Sequence, residues 1–274
     1  MLCTAGKEDA ERYPEAENQD GADGRVIECP SGDAIKSPWP GFRAAECRRG
    51  MTTEIQIYQR LGPHPRLVMM IEWKLDDCCL TMEYMPNGHR NDYLRAHNDE
   101  ISTTQRLQWI QEAAEGLQLL HSANVMRSDV EPKNLLLDAA LGLRIADFSG
   151  SSFEGSKALA RVGTRFSLPT ITFNSPATIQ DDLYGLGSTI YTIMTAGYPF
   201  QELPSDKVIE RCKAHEFPDV TGAACGPIIE RCWRCEVASA QEIYDFVEAE
   251  TKHTVSPANY THWQCQGVST NVTE

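Results

Sequence analysis

The sequence predicts an α+β protein of two lobes, a small β-rich lobe followed by a larger and mainly α-helical one. Three observations carry that prediction. Short apolar runs bounded by turn residues fill the first third of the chain, apolar residues at helical spacing dominate beyond Gly88, and Pro86-Asn87-Gly88 breaks the chain between them. At 274 residues, 41% hydrophobic and 23% charged, the chain has a globular composition and enough length to bury a sizeable core.

Residues 1–18 are polar, lack apolar periodicity and are expected to be flexible. RVIECPSGDAIKSP, starting at Arg25, reads as two short strands around a Pro-Ser-Gly-Asp turn. In TTEIQIYQRLG, starting at Thr52, Ile55, Tyr58 and Leu61 share a helical face, and Gly62 with Pro63 forms the stop. RLVMMIEWKLDDCCLTMEYMPNG, from Arg66, reads as a hairpin of two apolar strands joined at Asp76-Asp77. STTQRLQWIQEAAEGLQLLHS, from Ser102, opens with capping residues and spaces Leu107, Ile110, Ala114, Leu117 and Leu120 as a helix requires. Residues 150–178, rich in Ser, Thr, Gly and Pro, read as a long ordered loop, a class that usually carries function. Helices are expected at about 181–196, 205–214, 225–235 and 239–251. The expected division is a lobe at 19–85, a hinge at 83–88, a lobe at 89–252 and a loose tail at 253–274.

Charge and composition exclude several functions. A formal net charge of −14 argues against a nucleic-acid surface or an anionic membrane surface, both of which need clustered Lys and Arg. No apolar run reaches the length of a membrane span, and the polar start resembles neither a signal nor a transit peptide. The ten cysteines are scattered, as reduced thiols of an intracellular protein would be, so a cytoplasmic or nuclear location is expected. Cys232 and Cys235 form a C-x-x-C with no second pair at metal spacing, which suits buried thiols better than a zinc site. Asn259 and Asn271 stand in N-x-T triplets that carry little meaning without a secretory signal.

Several polar residues stand out from the pattern. QDGADGRV, from Gln19, is a glycine-rich turn with Gly21, Gly24 and Val26, whose missing Cβ atoms would let backbone N–H groups press on phosphates. AIK, Ala34 to Lys36, lies on a predicted strand, and Glu54 lies on the helix after it. Asp129 and Asn134 are five positions apart in VMRSDVEPKNLLLD, and Asp147 sits in IADFSG. In this order the segments resemble those of eukaryotic protein kinases, over roughly residues 19–250. The resemblance implies a bilobal protein-kinase-like fold using ATP and Mg²⁺. It assigns ATP contacts to Gly21, Gly24, Val26, Ala34, Lys36, Met82, Glu83, Met85 and Leu136, with Met82 as the gatekeeper. Glu54 would anchor Lys36 on the phosphates, Asp129 would orient the attacking hydroxyl, and Asn134 and Asp147 would ligate magnesium. Phe148 would pack beneath the helix of Glu54, and GTRFSLP with Thr164 resembles the peptide-docking segment of serine/threonine kinases. Asp182 would hydrogen-bond the catalytic-loop backbone, and its carboxylate also suits its own helix N-terminus, two roles that are compatible.

The departures sit at the chemistry. Arg127 replaces a histidine, so its guanidinium must find a carboxylate or bend outward. Ser128 removes an arginine that would bind a phosphorylated loop, and Ser149 replaces the glycine of D-F-G. Glu131 stands where a lysine is usual. A carboxylate 4 Å from a phosphate opposes it by about 4 kcal/mol at an effective dielectric near 20. Lys133 would compensate by swinging inward, although the pattern aims it at solvent. Thr170 replaces the glutamate that closes the docking segment, whose arginine partner is also missing, so that loop is expected to be held less firmly. Two readings follow: a divergent serine/threonine protein kinase acting on protein substrates, or a pseudokinase that docks a partner. The sequence is silent on oligomeric state.

Overall fold

A computed structural model describes residues 19–21, 24–41, 43–160, 162–172 and 174–255. The expected flexible start at 1–18 and the expected tail beyond Val255 lie outside the described residues. The first lobe is an antiparallel sheet in the order β1-β2-β3-β5-β4, built from β1 (Gln19–Gly21), β2 (Gly24–Glu28), β3 (Asp33–Ser37), β4 (Met70–Lys74) and β5 (Cys79–Glu83). The two hairpins read from the sequence, β2–β3 and β4–β5, form as expected, the second with a bulge between Met70 and Glu72.

Helix α1 (Ala44–Leu61) crosses the sheet and stops at Gly62, which takes a φ of +68° that suits a residue without Cβ. It starts eight residues before the predicted Thr52. AAECRRGM has a glycine and two arginines and no clear apolar stripe, so local pattern does not announce it. Packing decides it: Cys47, Gly50 and Met51 are all buried on its inner face.

The second lobe contains α2 (Arg90–His97), α3 (Thr103–Ser122), α4 (Ile179–Thr195), α5 (Ser205–Lys213), α6 (Gly226–Trp233) and α7 (Ala240–Val255). Ser102 caps α3 by accepting from the Gln105 N–H at 3.1 Å, and Thr178 with Asp181 forms a capping box on α4. Helix α3 packs on α7 and α4, and Trp233 is buried with its indole N–H donating to the Ser188 hydroxyl at 2.9 Å. Short strand pairs β7 (Leu135–Leu137) with β8 (Leu143–Ile145), and β6 (Val125–Met126) with β9 (Ser152–Phe153), shape the loops at the lobe junction. One hydrophobic cluster runs from Ala34 and Met51 in the first lobe to Ile243 and Val247 in the second, so the lobes share a core. No helix among the described residues is long and apolar enough to cross a membrane.

One core residue fits badly. Arg90, at the start of α2, is completely buried, and none of its guanidinium nitrogens has a partner among the described residues. Burial pulls its pKa down to about 9, opposed by the Tyr198 phenol and assisted by the like charge of Arg106. A buried, uncompensated charge costs on the order of 3–5 kcal/mol. Replacing Arg90 with Leu is therefore expected to raise the thermal midpoint by about 10 °C, at roughly 2–4 °C per kcal/mol for a chain of this size. Calorimetry checks it, and an unchanged or lowered midpoint would contradict this account of the core.

Candidate active site

Strand β3 delivers Lys36 to the junction by simple alternation: Ala34 and Lys36 are buried while Asp33, Ile35 and Ser37 are half-exposed. Glu54 lies on the buried face of α1 beside Ile55 and Tyr58. Asp147 follows β8 in a left-handed conformation, with φ at +60°. The three side chains converge. Lys36 Nζ donates to Glu54 Oε2 at 2.7 Å and to Asp147 Oδ1 at 2.5 Å. Lys36 and Glu54 are shut off from solvent, whereas the Asp147 side chain is 35% exposed.

The three charges are not equivalent. Burial works against the Lys36 ammonium, but Asp147 and then Glu54 outweigh it, so its pKa ends above the ordinary value. Burial raises the Glu54 carboxyl more than Lys36 lowers it. Burial also opposes the Asp147 charge, yet Lys36, Arg127 and the Ser149 hydroxyl together hold it well below the usual carboxylate range. Glu54 also accepts the Phe148 N–H at 3.2 Å, and the buried Phe148 ring meets Tyr58 edge-on at 5.2 Å. Helix α1 and the turn after β8 are fastened at the same point.

Asp182 organises the loop after β6. Its buried carboxylate accepts the Arg127 N–H at 2.7 Å and the Ser128 N–H at 2.8 Å, and lies 3.0 Å from His121 Nε2. Ser128 is held with φ at +61°. Asn134 Nδ2 donates to the Asp129 carbonyl at 2.9 Å, which leaves Asn134 Oδ1 as an acceptor. Asp129 Oδ1 is buried and accepts no hydrogen bond among the described residues. Arg127 meets the Asp147 carboxylate only through its field, with no direct ion pair among the described residues. Its guanidinium stays buried, donates to the Ala146 carbonyl at 3.0 Å and lies over the Phe148 ring at 5.7 Å.

A protein kinase domain model matches residues 34–252. The chain belongs to the protein kinase superfamily. Similar proteins from Arabidopsis thaliana include the serine/threonine/tyrosine-protein kinase HT1, 30% identical over 202 residues that cover 69% of this chain and 51% of HT1. The serine/threonine-protein kinase CTR1 is 26% identical over 75% of this chain and 27% of its own length, and STY17 is 22% identical over 80% and 40%. The chain therefore spans about half of HT1 and less of the other two.

The nucleotide and magnesium that kinases employ find a suitable donor set here. Asp129 has an orphaned carboxylate oxygen and Asp147 is part-exposed, and the candidate ligands are all oxygen atoms, as a hard cation requires. No group of three or more His, Cys, Asp or Glu among the described residues could hold a metal by itself. Magnesium would rest on Asn134 and Asp147 and complete its shell with phosphate and water oxygens. Gly21 and Gly24 pair across the β1–β2 hairpin, whose tip at 22–23 lies outside the described residues. Ala34, Met82 and Met85 are buried, and Val26 and Leu136 pack against the same core. The Glu83 N–H is already committed to the Met69 carbonyl at 3.0 Å, and its carboxylate pairs with Arg144 at 3.0 Å. The Met85 N–H donates to nothing among the described residues, which leaves it for a ligand.

Two further expectations are refined. Lys133 stays largely exposed, as the pattern implies, yet its ammonium is paired with the Glu131 carboxylate and stands 4.0 Å from Asp129 Oδ2. Burial, then a hydrogen bond and charge repulsion from Asp129, push the Glu131 pKa up to about 7 against the pull of Lys133. Glu131 therefore carries less negative charge near neutrality than an ordinary glutamate, and is less hostile to a phosphate than a full charge. The docking segment is also anchored. Thr164 starts the 3₁₀ turn Thr164–Phe166, Arg165 donates to the carbonyls of Phe200 at 3.1 Å and Leu203 at 2.5 Å, and buried Phe166 meets Tyr198 edge-on at 5.7 Å. Arg165 and Phe166 do the holding that the missing glutamate–arginine pair would do. Their only sequence signal was an arginine and an aromatic side by side in a polar loop.

The Glu131 carboxyl gives a pH prediction. Its folded-state pKa lies above the ordinary 4.5, so the fold prefers the protonated form and loses stability as pH rises through about 7. Glu131→Gln is expected to raise the thermal midpoint more at pH 8 than at pH 5. Equal gains at the two pH values would show that Glu131 is not strained by its charge.

Proposed function

We propose that residues 19–252 form a magnesium–ATP-dependent protein kinase domain that phosphorylates serine and threonine hydroxyls of protein substrates. The observation that carries this reading is the knot of Lys36, Glu54 and Asp147, which joins residues 111 positions apart at the lobe junction. Magnesium–ATP supplies a γ-phosphoryl group whose charge is partly neutralised, and therefore electrophilic. Lys36, fixed by Glu54, would hold the α- and β-phosphates. Met82 to Met85 and Leu136, with Ala34 and Val26 across from them, would enclose the base, and Gly21 and Gly24 would cover the phosphates. Asn134 Oδ1 and Asp147 would ligate magnesium. Asp129 Oδ1, buried and without a donor among the described residues, would accept the proton of the substrate hydroxyl as that oxygen bonds to the γ-phosphorus and the bond from phosphorus to the bridging oxygen of the departing ADP breaks. Lys133 would serve as the local cation that faces the transferring charge, the part Glu131 cannot play. Thr164, in a segment kept in place by Arg165, would lie under the docked peptide. The names of the relatives support a serine/threonine preference, and that of HT1 includes tyrosine as well.

A second reading is a pseudokinase that docks a partner, and Glu131 beside Asp129 is the observation that favours it. The two separate in a transfer assay with labelled ATP and a generic protein acceptor. Activity requires magnesium, falls by about a hundredfold or more on Asp147→Asn, and falls roughly tenfold on Lys133→Ala, the equivalent of one charge contact. Nucleotide binding without transfer, unchanged by Glu131→Lys, would establish the docking reading instead.

A further inference from the structure

The turn after Phe148 carries a hydroxyl for which the kinase reading has so far no use. Ser149 is buried, and its Oγ donates to Asp147 Oδ1 at 2.7 Å. That is the same oxygen held by Lys36 Nζ at 2.5 Å. Two donors on one carboxylate oxygen fix the rotation of the group and leave Oδ2 as the oxygen to be offered elsewhere. Asp147 needs such fixing, because its backbone sits at φ +60° and its side chain is the most solvent-accessible member of the knot.

Ser149 also brings a Cβ into a tight place. A Cβ built on Gly50 of α1 would lie 3.1 Å from Ser149 Cβ and 3.3 Å from the Ser149 carbonyl oxygen. Helix α1 can lie this close only because Gly50 has no side chain. Gly50 stands four residues, about one helical turn, before Glu54, so the contact sets how far α1 approaches Lys36.

We propose that Ser149 is a positioning residue that orients the Asp147 carboxylate for magnesium, and that Gly50 supplies the space that lets α1 close over it. The inference rests on the reading of Asp147 as a magnesium ligand. Equilibrium binding of ATP to the full chain, with and without magnesium, tests it apart from catalysis. Ser149→Ala is expected to weaken binding with magnesium about tenfold, the value of a hydrogen bond to a charged group, and to change magnesium-free binding less than twofold. Ser149→Gly should do the same, which guards against an effect peculiar to alanine. Gly50→Ala should weaken binding in both conditions and speed hydrogen exchange along α1. Ser149→Gly added to Gly50→Ala should restore part of the exchange protection, since it removes the Cβ contact and leaves the carbonyl contact, while the magnesium-dependent loss remains. Wild-type magnesium dependence that persists unchanged in both Ser149 variants overturns the positioning role. Unchanged exchange in Gly50→Ala overturns the spacing role. Absence of any magnesium effect in the wild type overturns the metal reading and this inference together.

Discussion

The buried ammonium of Lys36 sets the terms for the rest of the site. A cation removed from water has to be neutralised at short range, since an unpaired one costs several kcal/mol. The two carboxylates that do so come from α1 and from the loop after β8, segments with no local reason to meet. Satisfying one charge therefore fixes the sheet, the long helix of the first lobe and the loops of the second lobe relative to one another. Glu54 extends the constraint by taking the Phe148 N–H, and Phe148 extends it again through Tyr58 and Arg127.

The loops that complete the site follow the same rule with different partners. Asp182 is a buried carboxylate neutralised by two backbone N–H groups and a histidine, so it rigidifies the chain around Asp129 without a cation of its own. Arg127 and Arg165 are the converse, guanidinium groups that donate to carbonyl oxygens, with the Phe148 ring beneath that of Arg127. Where charge partners of the wider family are missing from this chain, neutral acceptors take their place. The loops are held by different atoms to a similar end, and Arg90, with no such acceptor among the described residues, is the exception.

Much of this was legible in the sequence for identifiable reasons. The hairpins and α3 follow from apolar alternation and spacing that survive without tertiary help, and Asp129, Asn134 and Asp147 stood out as polar residues at family-like spacing. The first two turns of α1 were not legible, because Gly50 and a polar neighbourhood hide a helix that packing against Ser149 sustains. Helix α2 was only a change of texture beyond Gly88. Arg127, Lys133 and Arg165 were visible as anomalies, yet their long side chains reach several places, and a linear pattern holds no information on which acceptor is nearest.

The sequence by itself determined the two-lobed architecture, the kinase family and the identity of the titratable groups at the junction. These follow from residue type and order, which periodicity and motif spacing record directly. Only the tertiary structure decided where the departures from the family pattern go: Lys133 beside Glu131, Arg127 over Phe148, the Ser149 hydroxyl on Asp147. Charge placement depends on distance and desolvation in three dimensions, and neither quantity is a function of separation along the chain.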